Sequence, residues 1–175
     1  MTHDTHDKIA GTLVPVVDSL VPITGGFEAV ITRADGSKEF RSNHNIVTRY
    51  GLNRLAARAI NATTQTPAYV LGVGTVTAAA SLDSSVLGFG EVSRKAAATV
   101  VQSQDWIALT MTWAGNTDSL TGVVLDSVAI LDHASSGQGI AFNIANGLAV
   151  TLQASDFLNL TGRIRVGSHD LGQST

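Results

Sequence analysis

Trp106-Ile107-Ala108-Leu109-Thr110-Met111-Thr112-Trp113 decides the fold class. Ile107, Leu109, Met111 and Trp113 fall on one side of an extended chain, and Ala108, Thr110 and Thr112 on the other. That two-residue period is the mark of a strand with one buried face. Downstream, Val123 to Leu131, Ile140 to Ala145 and Leu148 to Leu152 continue the series. The last strand sets Leu158, Leu160, Ile164 and Val166 on one face, and Thr161, Arg163 and Arg165 on the other.

Upstream, Val92 to Gln102 is a candidate strand and Ala68 to Val73 a short apolar run. Residues 27–47 read as a β-hairpin: Phe27 to Thr32 is rich in β-formers, and Asp35-Gly36 is a two-residue turn signal. Phe40, Ser42, His44 and Ile46 then share one face of the return strand. Short strands at this spacing, with 17 glycines to supply turns, predict a mainly β protein. The expected architecture is an antiparallel β-sandwich of jelly-roll type.

One helix interrupts the strands. Leu52, Leu55, Ala56, Ala59 and Ile60 follow the spacing of one buried helical face, with Thr48 placed to cap it, so a helix is expected over 49–61. Residues 75–90 form a long Ala/Ser/Gly-rich loop with Leu82 and Leu87 as anchors.

The start of the chain differs. A polar run from Thr2 to Asp7 precedes a Val/Leu-rich stretch broken by Pro15 and Pro22, and proline discourages regular pairing. Gly25-Gly26 reads as a hinge-like break. The organisation expected is an extended arm over 1–24, a sandwich domain over 25–170 and a flexible tail over 171–175. The arm lies across its own domain or a neighbour, or is simply a frayed terminus.

Composition narrows the function classes. Only 14% of residues are charged, so either many faces are neutral or some are covered by other subunits. The 11 Lys and Arg are scattered and the net charge is −3, which argues against a nucleic-acid partner. With no Cys, thiolate metal sites and disulfides are absent. No stretch approaches a membrane-spanning length. The polar, acidic start is unlike a secretory signal.

Chemistry finds little purchase. Asp83 and Glu91 lie near the long loop without anything to fix their separation, and loop carboxylates are ordinarily solvated. His3 and His6 with Asp4 and Asp7 sit in a polar tail that does not preorganise a metal. His133 follows Asp132 in a turn, but no G-x-S-x-G elbow supplies a nucleophile. Gly72-Val73-Gly74-Thr75 lacks the third glycine of a dinucleotide loop and reads as a tight turn off a strand. Glu91 and Arg94 suit an ion pair, and Arg163 with Arg165 suits either an acidic neighbour or water. Trp106 and Trp113 lie on opposite strand faces, one in the core and one at a surface or interface. No catalytic residue, cofactor or metal is expected.

The order of segments resembles that of small virion proteins of tailed bacteriophages. Asn45 to Ala56 is similar to their strand running into an alanine-rich helix, and Leu71-Gly72-Val73-Gly74-Thr75 to a strand end. Asp83, Leu87, Glu91 and Arg94 resemble a loop phrase, with one extra residue before Glu91. Asp156 and Leu158 resemble the turn before a closing strand. The likeness covers residues 45–166 and carries no catalytic residues. It implies a non-enzymatic virion protein, assembled in the bacterial cytoplasm. The expected role is capsid decoration or cement, with a tail fibre, baseplate or receptor-binding component as the alternative. Partners are then further copies of the chain and the major capsid or tail proteins. The candidate interface is Val14, Val16, Val17, Leu20 and Val21 of the arm, Leu82 and Leu87 of the long loop, and Arg163 and Arg165 of the last strand.

Overall fold

A computed structural model describes residues 23–44, 46–59, 70–75, 81, 90–103, 106–133 and 141–166. In chain order these form β1 (Ile23–Thr32), β2 (Lys38–His44), β3 (Ile46–Val47), α1 (Arg49–Ala59), β4 (Val70–Gly74), β5 (Glu91–Ala96), β6 (Thr99–Gln102), β7 (Trp106–Ala114), β8 (Val124–Leu131), β9 (Ala141–Thr151) and β10 (Phe157–Val166). The strands make two antiparallel five-stranded sheets. The front sheet runs β2-β1-β10-β7-β6 and the back sheet β3-β9-β8-β4-β5. The expected β-sandwich is what forms; the jelly-roll description goes further than this strand order does.

The inner faces meet as the alternation predicts. Phe27, Ala29 and Ile31 of β1, Leu109 and Trp113 of β7, and Leu158, Leu160 and Ile164 of β10 come from the front sheet. Leu71 and Val73 of β4, Leu125, Val128 and Ile130 of β8, and Val150 of β9 come from the back sheet. Gly162 marks how closely the layers approach. A Cβ there would lie 2.9 Å from Leu71 Cδ2 in the back sheet and 2.9 Å from Phe27 Cε1 in its own. Trp113, fully buried, donates its indole N–H across the layers to Ser93 Oγ at 3.1 Å. Trp106 is only half-buried, so the two tryptophans divide between core and surface as expected.

Several local expectations change. β1 begins at Ile23, and Gly25 and Gly26 pair with Ile164 and Arg163 of β10, so they sit inside a strand and form no hinge. The β1–β2 turn has three loop residues where the sequence suggested two. Arg33 N–H donates to Ser37 O at 2.9 Å and Gly36 N–H to Arg33 O at 2.9 Å. Gly36 alone in the loop has positive φ, +83°. A two-residue type I′ turn needs positive φ at both central residues, whereas a type I turn closed by a left-handed glycine needs only one.

β2 ends at His44, and Ile46 belongs to β3 in the other sheet, opposite Ile144. Ile46 therefore shares no face with Phe40, Ser42 and His44. The strand expected over 92–102 is two strands, because the chain steps from the back sheet to the front at Ala97-Ala98. The two strands expected over 140–152 are one, β9, which absorbs positive φ at Gly147 (+93°) and Ala149 (+50°). Gly72 and Gly74 do not make a turn. They lie within β4, paired on both sides, with a register shift at Val73/Gly74.

The helix is capped as read: Thr48 Oγ1 accepts from Gly51 N–H at 3.1 Å, and Thr48 is fully buried. Tyr50 donates its hydroxyl hydrogen to Asp132, and Arg54 reaches Asp132 at 3.5 Å, which ties α1 to the end of β8. Burial first, and the bond to Asp132 second, push the Tyr50 hydroxyl above its ordinary pKa.

A second tie joins the β1–β2 loop to the β9–β10 turn. The Asp156 carboxylate, 1% exposed, accepts from Gln153 N–H (2.8 Å), Arg33 Nη1 (2.7 Å) and Ala34 N–H (3.2 Å). Arg33 also donates to Thr151 O at 2.9 Å and to Glu39 at 2.6 Å. The Gln153 N–H and then Arg33 hold the Asp156 carboxyl below the usual carboxylate range, against the opposing effect of burial.

Candidate interaction face

Strand parity places β1 positions 24, 26, 28, 30 and 32 on the outer side of the front sheet. Pairing carries the same side to Lys38, Phe40, Ser42 and His44 on β2, to Phe157, Asn159, Thr161, Arg163 and Arg165 on β10, and to Trp106, Ala108, Thr110 and Thr112 on β7. Thr99 and Val101 of β6 complete it.

The middle of this face is neutral and bonded to itself. Thr110 Oγ1 and Thr161 Oγ1 lie 3.1 Å apart, and Asn159 Nδ2 donates to Thr112 Oγ1 at 3.1 Å. Hydroxyls and amides that already share hydrogen bonds lose less on being covered than charges do. Large apolar groups stand in the same plane: Phe40 is 68% exposed, Phe157 50% and Val101 46%. Phe40 sits beside Val30, and Phe157 beside Thr32, so both phenyl groups occupy one end of the face.

Apart from Lys38 opposite Thr32, charge gathers at the opposite end. A concavity of ≈350 Å³ is lined there by Thr24, Gly25, Gly26, Glu28, His44, Arg163 and Arg165 among others. Gly26 carries no side chain between His44 and Arg163 on the neighbouring strands, which leaves room for the hollow. Arg163 Nη1 meets Glu28 Oε1 at 2.8 Å, so its acidic partner lies in its own chain. Arg165 lies opposite Trp106.

The structure thus brings Arg163 and Arg165 together on one hollow. Val14, Val16, Val17, Leu20, Val21, Leu82 and Leu87 lie outside the described residues, as do Asp83, His3, His6 and the 171–175 tail. Glu91 belongs to β5 and is not a solvated loop carboxylate. Arg94 Nε donates to Glu91 Oε1 at 2.7 Å, and the two side chains are 2% and 7% exposed. Arg94 Nη1 also donates to His133 O at 2.6 Å, while Asp132 is held by Tyr50. Both carboxylates are thus paired within the chain.

Phe40 and Phe157 were missed as candidate interface residues. Their signal was legible: each is an aromatic residue at a position whose strand parity is otherwise polar. Among the described residues no group of three or more His, Asp or Glu is arranged to hold a metal ion. No described helix is long and apolar enough to cross a membrane. No family model, no curated protein and no solved structure matches the chain.

Proposed function

We propose that this chain is a non-enzymatic structural protein of a tailed-phage virion that decorates or cements the capsid through contacts between subunits. The observation that carries the reading is the outer face of the front sheet, whose middle is neutral and bonded to itself and which exposes Phe40 and Phe157 at one end. Such a face costs little to desolvate and gains on being covered. The low charge of the whole chain points the same way, and so does its phage-like order of segments. On this reading major capsid protein covers the Phe40–Phe157 end, and the segment before Ile23 and the 75–90 loop contact neighbouring subunits.

The test is particle occupancy. Fully burying a phenyl group is worth about 1.5–3 kcal/mol, so Phe40→Asp with Phe157→Asp should strip the protein from particles while the purified variant stays folded. Deleting residues 1–22 should weaken occupancy in the same way. Full occupancy of both variants overturns the reading.

A second reading has its own observation. The hollow lined by His44, Glu28, Arg163 and Arg165, with Trp106 alongside, suits an anionic or sugar ligand on a host surface, as a tail fibre or receptor-binding component would need. Adsorption of the purified protein to host cells, lost on Arg165→Ala, would favour it over the cement role.

A further inference from the structure

We propose that two copies of this chain join edge to edge through β6, antiparallel about a two-fold axis at Val101. This names the self-contact of the assembly proposed above. It rests on that reading only for its biological setting, because the pairing is a property of the isolated chain.

Among the described residues β6 closes one side of the front sheet and pairs with β7 alone, and all four of its residues are exposed. Ser103 N–H donates to Trp106 O at 2.9 Å, in phase with the register that sets Val101 opposite Ala108 and Thr99 opposite Thr110. Backbone groups alternate in direction along an antiparallel ladder. Thr99, Val101 and Ser103 therefore turn their N–H and C=O groups toward β7. Val100 and Gln102 turn theirs to the open edge, where they form a template for another strand.

Edges are commonly blunted by charge. β2 carries Lys38, Glu39 and Arg41, β5 carries Glu91, Arg94 and Lys95, and β3 is two residues long. β6 differs from all three, since residues 96–104 hold no charged side chain. A second copy is the occupant this edge fits. β6 set against itself meets no like charge, whereas β2 turned on itself about Arg41 would oppose arginine to arginine.

Symmetry then selects the register. A two-fold pair using the open groups of Val100 and Gln102 is centred on Val100, Val101 or Gln102. Centring on Val100 calls on Ala98, whose N–H is already given to Thr110 O at 2.9 Å. Centring on Gln102 sets Val100 against residue 104, past the end of β6. Centring on Val101 sets Val100 opposite the partner's Gln102 and the reverse, using every open group. Val101 then faces the partner's Val101 at a non-hydrogen-bonded site, with Cα atoms about 4.5 Å apart. Val100 (46% exposed) and Val101 (46%) gain cover, and the two front sheets become one.

The chain has no cysteine, so a single introduced thiol reports the contact. Val101→Cys lies within disulfide range of its own symmetry mate, and Val100→Cys does not. On oxidation of the full chain, Val101→Cys should give a covalent dimer on non-reducing gels, and Val100→Cys should stay at chain mass. In sedimentation the unmodified chain should run at twice its 18.1 kDa, and Val101→Lys at once that mass with an unchanged circular dichroism spectrum. A monomeric parent chain, a dimer that survives Val101→Lys, or equal cross-linking at both positions overturns the proposal. Particle occupancy is read separately, so the virion reading and this one fail independently.

Discussion

The two sheets bury the centres of their inner faces alike and differ over most of their outer faces, although Val124 at the start of β8 is 58% exposed on the back sheet. On the back sheet Ser127, Ala129 and Leu131 of β8 are 1%, 0% and 0% exposed, although they point away from the sandwich core. Val70 of β4 is 5% exposed on that same side, and the Glu91–Arg94 pair is almost closed to water there. On the front sheet the equivalent side shows Phe40, Phe157 and Val101 to solvent. The sequence carries the difference. Val128-Ala129-Ile130-Leu131 is an unbroken apolar run, as a strand covered on both sides requires, whereas β7 and β10 alternate. A strand that alternates and still places phenylalanine on its polar side offers a face for a partner.

Substitutions can break or sharpen this contrast. The largest effect belongs to what both sheets share. Trp113→Ala removes the largest buried side chain and its bond to Ser93, and should lower unfolding free energy by about 3–5 kcal/mol in a urea titration. Leu131→Ala, on the outer side of the back sheet, should cost about 2–4 kcal/mol. Phe40→Ser, on the outer side of the front sheet, should change stability by no more than about 0.5 kcal/mol. Equal costs at Leu131 and Phe40 would erase the contrast.

Asp156→Ala should cost about 2–3 kcal/mol by taking the acceptor from the Gln153 and Ala34 N–H groups and one of the acceptors from Arg33. The pH dependence follows from the depressed Asp156 carboxyl. A group whose pKa is lower in the folded state stabilises the fold above its unfolded value near 4, and that stabilisation fades as pH falls through the folded value. Thermal scans from pH 6 downward should therefore show the parent losing stability below about pH 4 more steeply than Asp156→Asn. The smallest effect is expected at the exposed pair of Arg163 and Glu28, where Arg163→Ala should cost under about 1 kcal/mol.

Much of this was legible beforehand. The two-sheet β fold, the Thr48 cap, the inner faces of β7 and β10, and the split between Trp106 and Trp113 all follow from period and local chemistry. Long-range pairing was not legible. Gly25-Gly26 looks like a break until β10 supplies a partner strand. Ala96-Ala97-Ala98 gives no local sign that the chain changes sheets there. Asp156 resembles any turn aspartate, since Arg33, its ion-pair partner, is more than a hundred residues away. Of the interaction face, Arg163 and Arg165 were read from alternation. Phe40 and Phe157 were passed over because exposure of an apolar residue depends on which sheet face stays uncovered, and that is settled by topology.

The most direct test of the account is cryo-electron microscopy of the phage particle that carries this chain. The account predicts density for the protein on the capsid lattice, with the Phe40–Phe157 end of the front sheet covered by capsid protein. A front sheet facing open solvent, density only at the tail, or no density on the particle would contradict it.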